Sequence, residues 1–131
     1  MSLLSTKLSL ESDFNSNWSY TPVAWPNIDL GTSDLDEWVS FNVMNGESSQ
    51  ASMGGDTNTH RFFGVVIVQI FVRPSTGSKR AFELADLASS LLRSKTIGAV
   101  VLRSPDIQLV GLDNGWYQVN VKCSFYTDEI L

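Results

Sequence analysis

The chain has 131 residues, 43% of them hydrophobic and 18% charged, a balance that folds one domain around a core and excludes intrinsic disorder. A formal net charge of −5 disfavours tight binding to a polyanion such as DNA. Cys123 and His60 are the sole residues of their kinds, which excludes an internal disulfide and a Cys/His metal site within one chain.

The N-terminus alternates apolar with polar residues and lacks a hydrophobic signal core, and no apolar run reaches the ~18 residues of a membrane span. The expectation is a soluble protein, intracellular at synthesis and without membrane contact. In chain order, Leu4, Leu8 and Glu11 keep helical spacing, and Leu10, Phe14 and Trp18 recur every four residues, so residues 3–17 are predicted helical. Pro22 and Pro26 then bracket a short extended piece, which confines it to a sheet edge or a strand-like approach. From Asp36 to Met44, Val39, Phe41 and Val43 alternate with Ser40 and Asn42, the pattern of a half-buried strand whose wetter side carries Trp38.

Asn45–His60 has three glycines and almost no apolar side chains, and reads as a long flexible loop that ends at an exposed His60. Arg61–Val72, "RFFGVVIVQIFV", is apolar on both parities and is predicted to be the central strand, covered on at least one face and largely on both. A helix is predicted from Lys79 to Arg93 with Ser78 as N-cap. Its stripe of Leu84, Leu87, Ala88, Leu91 and Leu92 faces the sheet, and Lys79, Arg80, Glu83, Asp86 and Arg93 face solvent. Beyond it, "GAVVLRSP" reads as a strand stopped by Pro105 and "DIQLVGL" as another. Asp113–Gly115 reads as a hairpin turn, because Asn-Gly tolerates positive φ, and Trp116–Tyr126 as the last strand. Helix, strands, helix, strands is an α+β order: a single domain, 1–131, with a mixed or antiparallel sheet, one main helix packed on it and an N-terminal helix.

Catalytic motifs are missing. "RPSTGSKR" resembles a phosphate loop only in composition: the residue five before Gly77 is Val72, Ser78 separates Gly77 from Lys79, and Arg80 replaces the magnesium-holding hydroxyl. The carboxylate clusters, Asp34/Asp36/Glu37 and Asp128/Glu129, flank strand ends and read as solvated. Cys123 keeps the parity of Val119, Val121 and Phe125 and reads as a small buried hydrophobe. Asn17 heads a glycosylation sequon by pattern alone. No enzyme and no cofactor is expected. Of the four tryptophans, Trp18, Trp25, Trp38 and Trp116, one or two are expected partly exposed, as surface aromatics in protein–protein contacts are. Charge divides unevenly: residues 1–60 carry −7 and residues 61–131 carry +2.

The order of "AWPN" (Ala24–Asn27), "EWVSFNVM", a Gly/Ser-rich stretch, an apolar strand, the run from Gly77 to Ala88, and "DNGWY" entering the last strand resembles the tail terminator (tail completion) proteins of long-tailed, lambda-type bacteriophages. The resemblance spans nearly the whole chain. It implies an α+β structural protein that assembles as a hexameric ring on the last ring of tail tube protein and stops tube growth. Such a ring presents a surface to head or neck connector proteins. It implies location at the head-proximal end of the virion tail, after assembly in the host cytoplasm, with DNA passing the lumen without specific binding. The alternative reading is a neck, head-completion or minor tail protein of the same particle, and a more distant one is a monomeric small-molecule-binding domain. On exposure grounds Trp38, Arg73, Lys79 and Arg80 are the expected interface residues.

Overall fold

The computed structural model describes residues 3–26, 31, 36–50, 59–74, 78–98, 100–113 and 115–130. It contains α1 (Leu3–Asn17), β1 (Val23–Ala24), β2 (Glu37–Gln50), β3 (Thr59–Val72), α2 (Lys79–Leu92), β4 (Thr96–Ile97), β5 (Val100–Asp113) and β6 (Trp116–Ile130). The six strands form one sheet in the order β1-β2-β3-β6-β5-β4. Only the β1–β2 pair is parallel, so the sheet is mixed and the domain α+β.

β3 sits at the centre because it can bury apolar side chains on either parity. Val66, Val68, Ile70 and Val72 face the helices and are buried, in register with Val43, Phe41 and Val39 of β2 and with Cys123, Val121 and Val119 of β6. α2 lies over this row with Ala81, Leu84, Ala85, Ala88 and Leu92 buried; its alanines let the helix backbone come close to the sheet. α1 covers the β1–β2 side of the same face: Phe14 stacks on Phe41 at 4.7 Å and on Trp18 at 5.2 Å. The Trp18 Nε1–H donates to Thr21 Oγ1 at 3.1 Å. Lys95, just before β4, donates to Asp13 of α1 at 2.7 Å and ties that helix to the far end of the chain. The opposite face of the sheet carries no helix among the described residues. There β3 is covered less than its composition suggests: Phe63 is exposed, and Val65, Ile67 and Phe71 are half-buried.

Two expectations are corrected. The stretch 45–60 is not one long loop: β2 continues to Gln50 and β3 begins at Thr59, with His60 paired to Gln50 and Glu129. Backbone pairing with β3 extends the hairpin through these polar residues, with a bulge between Asn45 and Ser48. Residues 51–58 lie outside the described set. The strand from Val100 is likewise not stopped by Pro105: β5 runs on to Asp113 as one strand, and the register shifts between Leu102 and Pro105. A bulge at an edge accommodates a residue that has no N–H to give. Ser78 occupies the N-cap of α2, but its hydroxyl makes no capping bond; its carbonyl accepts from the Phe82 N–H at 3.1 Å. The predicted turn closes with Asp113 opposite Trp116, and Gly115 holds φ +81° as a two-residue hairpin requires.

Gly64 is the tightest point of the core. It pairs with Phe125, whose ring lies over the glycine's backbone: a Cβ at Gly64 would fall 2.4 Å from the ring and 2.8 Å from the Met44 carbonyl oxygen. Gly64→Ala is expected to lower unfolding stability by about 1–3 kcal/mol, read from the urea midpoint. Combined with Phe125→Leu, the loss should be smaller than the sum of the two single losses.

Candidate functional site

The open face of the sheet gathers its large side chains at two ends. At the end where β2 starts, β3 finishes and β6 starts, Trp38 stacks on Phe71 with centroids 4.1 Å apart and meets Trp116 edge-on at 5.9 Å. Cross-strand pairing of Trp38 with Phe71 puts them opposite each other, which is why the rings lie face to face. The Arg73 guanidinium lies 4.4 Å from the Trp116 ring centroid. The Trp38 Nε1–H is buried without an acceptor among the described residues.

The other two expected interface residues come to the same end of the sheet, on its helix side. Lys79 opens α2 with a side chain 92% exposed and lies 3.8 Å from Glu83. Arg80 is not free surface: its guanidinium grips Glu37 with two bonds of 2.8 and 2.9 Å and reaches Glu83 at 3.4 Å. The Glu37 partnership raises the Arg80 pKa above its ordinary value. Glu37 points to the helix side because it alternates with Trp38, so one dipeptide anchors α2 and builds the aromatic corner on the opposite face. The structure thus brings Trp38, Arg73, Lys79 and Arg80 to one end of the sheet and divides them between its faces.

A second cluster sits at the opposite end, and sequence reasoning missed it. Tyr126 of β6 carries Arg61 at 4.4 Å and Arg103 at 5.3 Å from its ring centroid. Arg61 also donates to both oxygens of Asp128, at 2.8 and 3.0 Å. The two arginines lie 42 positions apart and meet only because β3 and β5 both flank β6; their signal is the register, which no local motif contains. The carboxylate clusters expected to be solvated each contribute one partner to a bidentate ion pair, Glu37 and Asp128.

Cys123 is fully buried, its thiol pushed up to about 11 by burial, and its Sγ–H donates to the Arg103 carbonyl at 3.1 Å. That is the chemistry of a core residue, not a nucleophile. His60 is the second residue of β3, and its side-chain exposure lies outside the described set. An open cleft of about 240 Å³ beside Gly64 is lined by Gly46, Phe63, Val65, Arg103 and Ser124, with Arg103 its one ionisable lining residue. No helix among the described residues is long and apolar enough to cross a membrane. Both clusters present flat aromatic area with cations already stacked on it, geometry suited to contact with another macromolecular surface.

No protein-family model matches the chain, and no curated protein sequence matches it. Among solved structures, a chain that bears no functional name aligns with a TM-score of 0.65 at 17% identity, covering 94% of this chain and 95% of its own. The likeness extends to the whole domain and is one of fold.

Arg61 holds the Asp128 carboxyl below its ordinary range, chiefly through the two hydrogen bonds. A depressed carboxylate pKa adds stability that is complete above the unfolded value near ~4 and is lost as pH falls through the folded value. The stability gap between wild type and Asp128→Asn is therefore expected to be present at pH 7 and to close below about pH 4. It should be small throughout, since the pair is solvent-exposed. Urea titrations at pH 7 and pH 2.5 check this; a gap of equal size at both values would contradict it.

Proposed function

We propose that this chain is a tail terminator of a long-tailed bacteriophage. Copies form a ring on the last ring of tail tube protein, stop its polymerisation and offer the other side of the ring to head or neck connector proteins. It works by assembly and transforms no molecule. The observation that carries this reading is the order and spacing of "AWPN", "EWVSFNVM", the Gly77–Ala88 run and "DNGWY" across the chain. The α+β domain that the resemblance implies is the one this sequence adopts.

Two features of the surface support it. The four expected interface residues lie at one end of the sheet, where a ring would meet the structure above or below it. The chain is also net acidic, so a ring of copies repels DNA from its lumen and lets it slide through unbound.

Purified protein added to polymerising tube protein should give tubes of fixed length, counted in negative-stain images. A neck or head-completion protein would bind finished tails and leave the length distribution broad, and that outcome overturns the terminator reading.

A further inference from the structure

The sheet ends on two strands of two residues each, and they cap it incompletely. β4 pairs with β5 at Val100 and Val101, and the preceding turn adds bonds at Leu102 and Arg103. From Ser104 to Asp113 no other described strand pairs with the outer edge of β5. β1 pairs with β2 only at Val39 and Ser40, and from Phe41 to Gln50 the outer edge of β2 is likewise open among the described strands. The β5 edge is also apolar: Ile107 is 40% exposed, Leu109 56%, Val110 44% and Leu112 71%. The run "IQLVGL", Ile107–Leu112, carries no charge and no proline, two of the devices that normally guard an edge, and a single bulge between Leu109 and Gly111 interrupts it.

We propose that the open edge of β5 takes the open edge of β2 from a second copy of this chain, so that the sheets of successive protomers join. Three features of the sheet select that occupant. The strands from β2 through β3 and β6 to β5 are four and antiparallel throughout. A copy turned about an axis along the strands therefore presents its β2 antiparallel to β5, the better-bonded arrangement. The two edges are different surfaces, which is what head-to-tail joining into a closed ring requires, whereas pairing of β5 with itself stops at a dimer.

The third feature is the stagger. Val39 is level with Leu109 across the sheet, through Ile70 and Val119. The open stretch of β5 is centred near Leu109 and that of β2 near Asn45, so joining them displaces each copy by about six residues, roughly 20 Å along the strands. Four strands are about 19 Å wide, so the strands tilt by about 45° from the axis, close to the ~35–45° typical of closed barrels. This tilt does not depend on the number of copies. The even displacement keeps side chains on their own faces: Leu109 comes opposite Asn45, and Leu112, level with Glu37, comes opposite Val43 of the next copy. The proposal deepens the ring reading and rests on it for closure, but the edge pairing has its own readout.

The test uses full-length protein carrying Leu109→Cys and Asn45→Cys, both at exposed positions, and a bis-maleimide about 8 Å long that reaches opposite and diagonal cross-strand neighbours. Buried Cys123 does not compete. Cross-linking is run alone and with tube protein. The expected result is a ladder of covalent multimers from the double variant and none from either single variant. Dimers from Leu109→Cys alone would overturn the proposal in favour of β5 pairing with itself. No ladder while wild type still fixes tube length would overturn the edge pairing and leave the ring reading standing. A ladder without fixed tube length would do the reverse. Leu109→Lys, which should keep the urea midpoint, is expected to lower association at least tenfold; association equal to wild type would also overturn the proposal.

Discussion

The structure depends on β3 being paired on both sides through the core. All fourteen of its residues pair with β6, and all but Thr59 and Phe63 with β2, so the most apolar segment of the chain has strand partners for its backbone on either side. Hydrophobicity alone would not fix its register, because a one-residue slip replaces Val66, Val68 and Ile70 under the helices with Val65, Ile67 and Gln69, two of the three equally apolar. The discriminating residues are few. Gln69 would be buried without a partner of its own, and Gly64 is the one position over which the Phe125 ring can lie. The neighbours add the rest: Ser40 and Asn42 on β2, and Gln118, Asn120 and Lys122 on β6, keep one parity polar.

That choice of register creates two unequal faces. The helix side is filled by α2 and α1, while the other side has a polar centre and aromatic ends. Each aromatic end is stacked with arginine, which covers the ring with a cation instead of leaving bare apolar area. Such ends tolerate water when alone and lose little on meeting another protein. The sheet's lateral boundary at β5 is the opposite case: four apolar side chains are exposed along an outer edge that no other described strand pairs with from Ser104 onward.

The helices, the central strand and the Asn-Gly hairpin are legible in the sequence because each is set by residues within a few positions of one another. The α2 stripe and the parities of β2 and β6 are periodic, and the periods survive folding unchanged. The misreadings share a cause. Residues 45–50 look like a loop because they have little to bury, yet a strand needs only a partner, and β3 supplies it. Pro105 looks like a stop because it cannot bond on both sides, yet an edge strand does not ask it to. The Tyr126 cluster and the Glu37–Arg80 pair join residues far apart in sequence, so they became visible only once the strand order was known.

Two ion pairs hold what the sheet does not, and a third reinforces it. Arg80–Glu37 fastens α2 to β2, Lys95–Asp13 fastens α1 to the approach to β4, and Arg61–Asp128 joins β3 to β6 near the tip of the long strands. All are partly exposed, so each contributes little to stability, and their main effect is to fix position. Because they neutralise charge in pairs, they leave the surplus of −5 unchanged. A lone domain gains little from such a surplus beyond solubility. On the ring reading it has a use: copies surrounding a DNA path would repel the phosphates from every side, and with a screening length of about 8 Å at physiological salt that repulsion acts only near the wall. The DNA is then kept off the surface without being held anywhere along it.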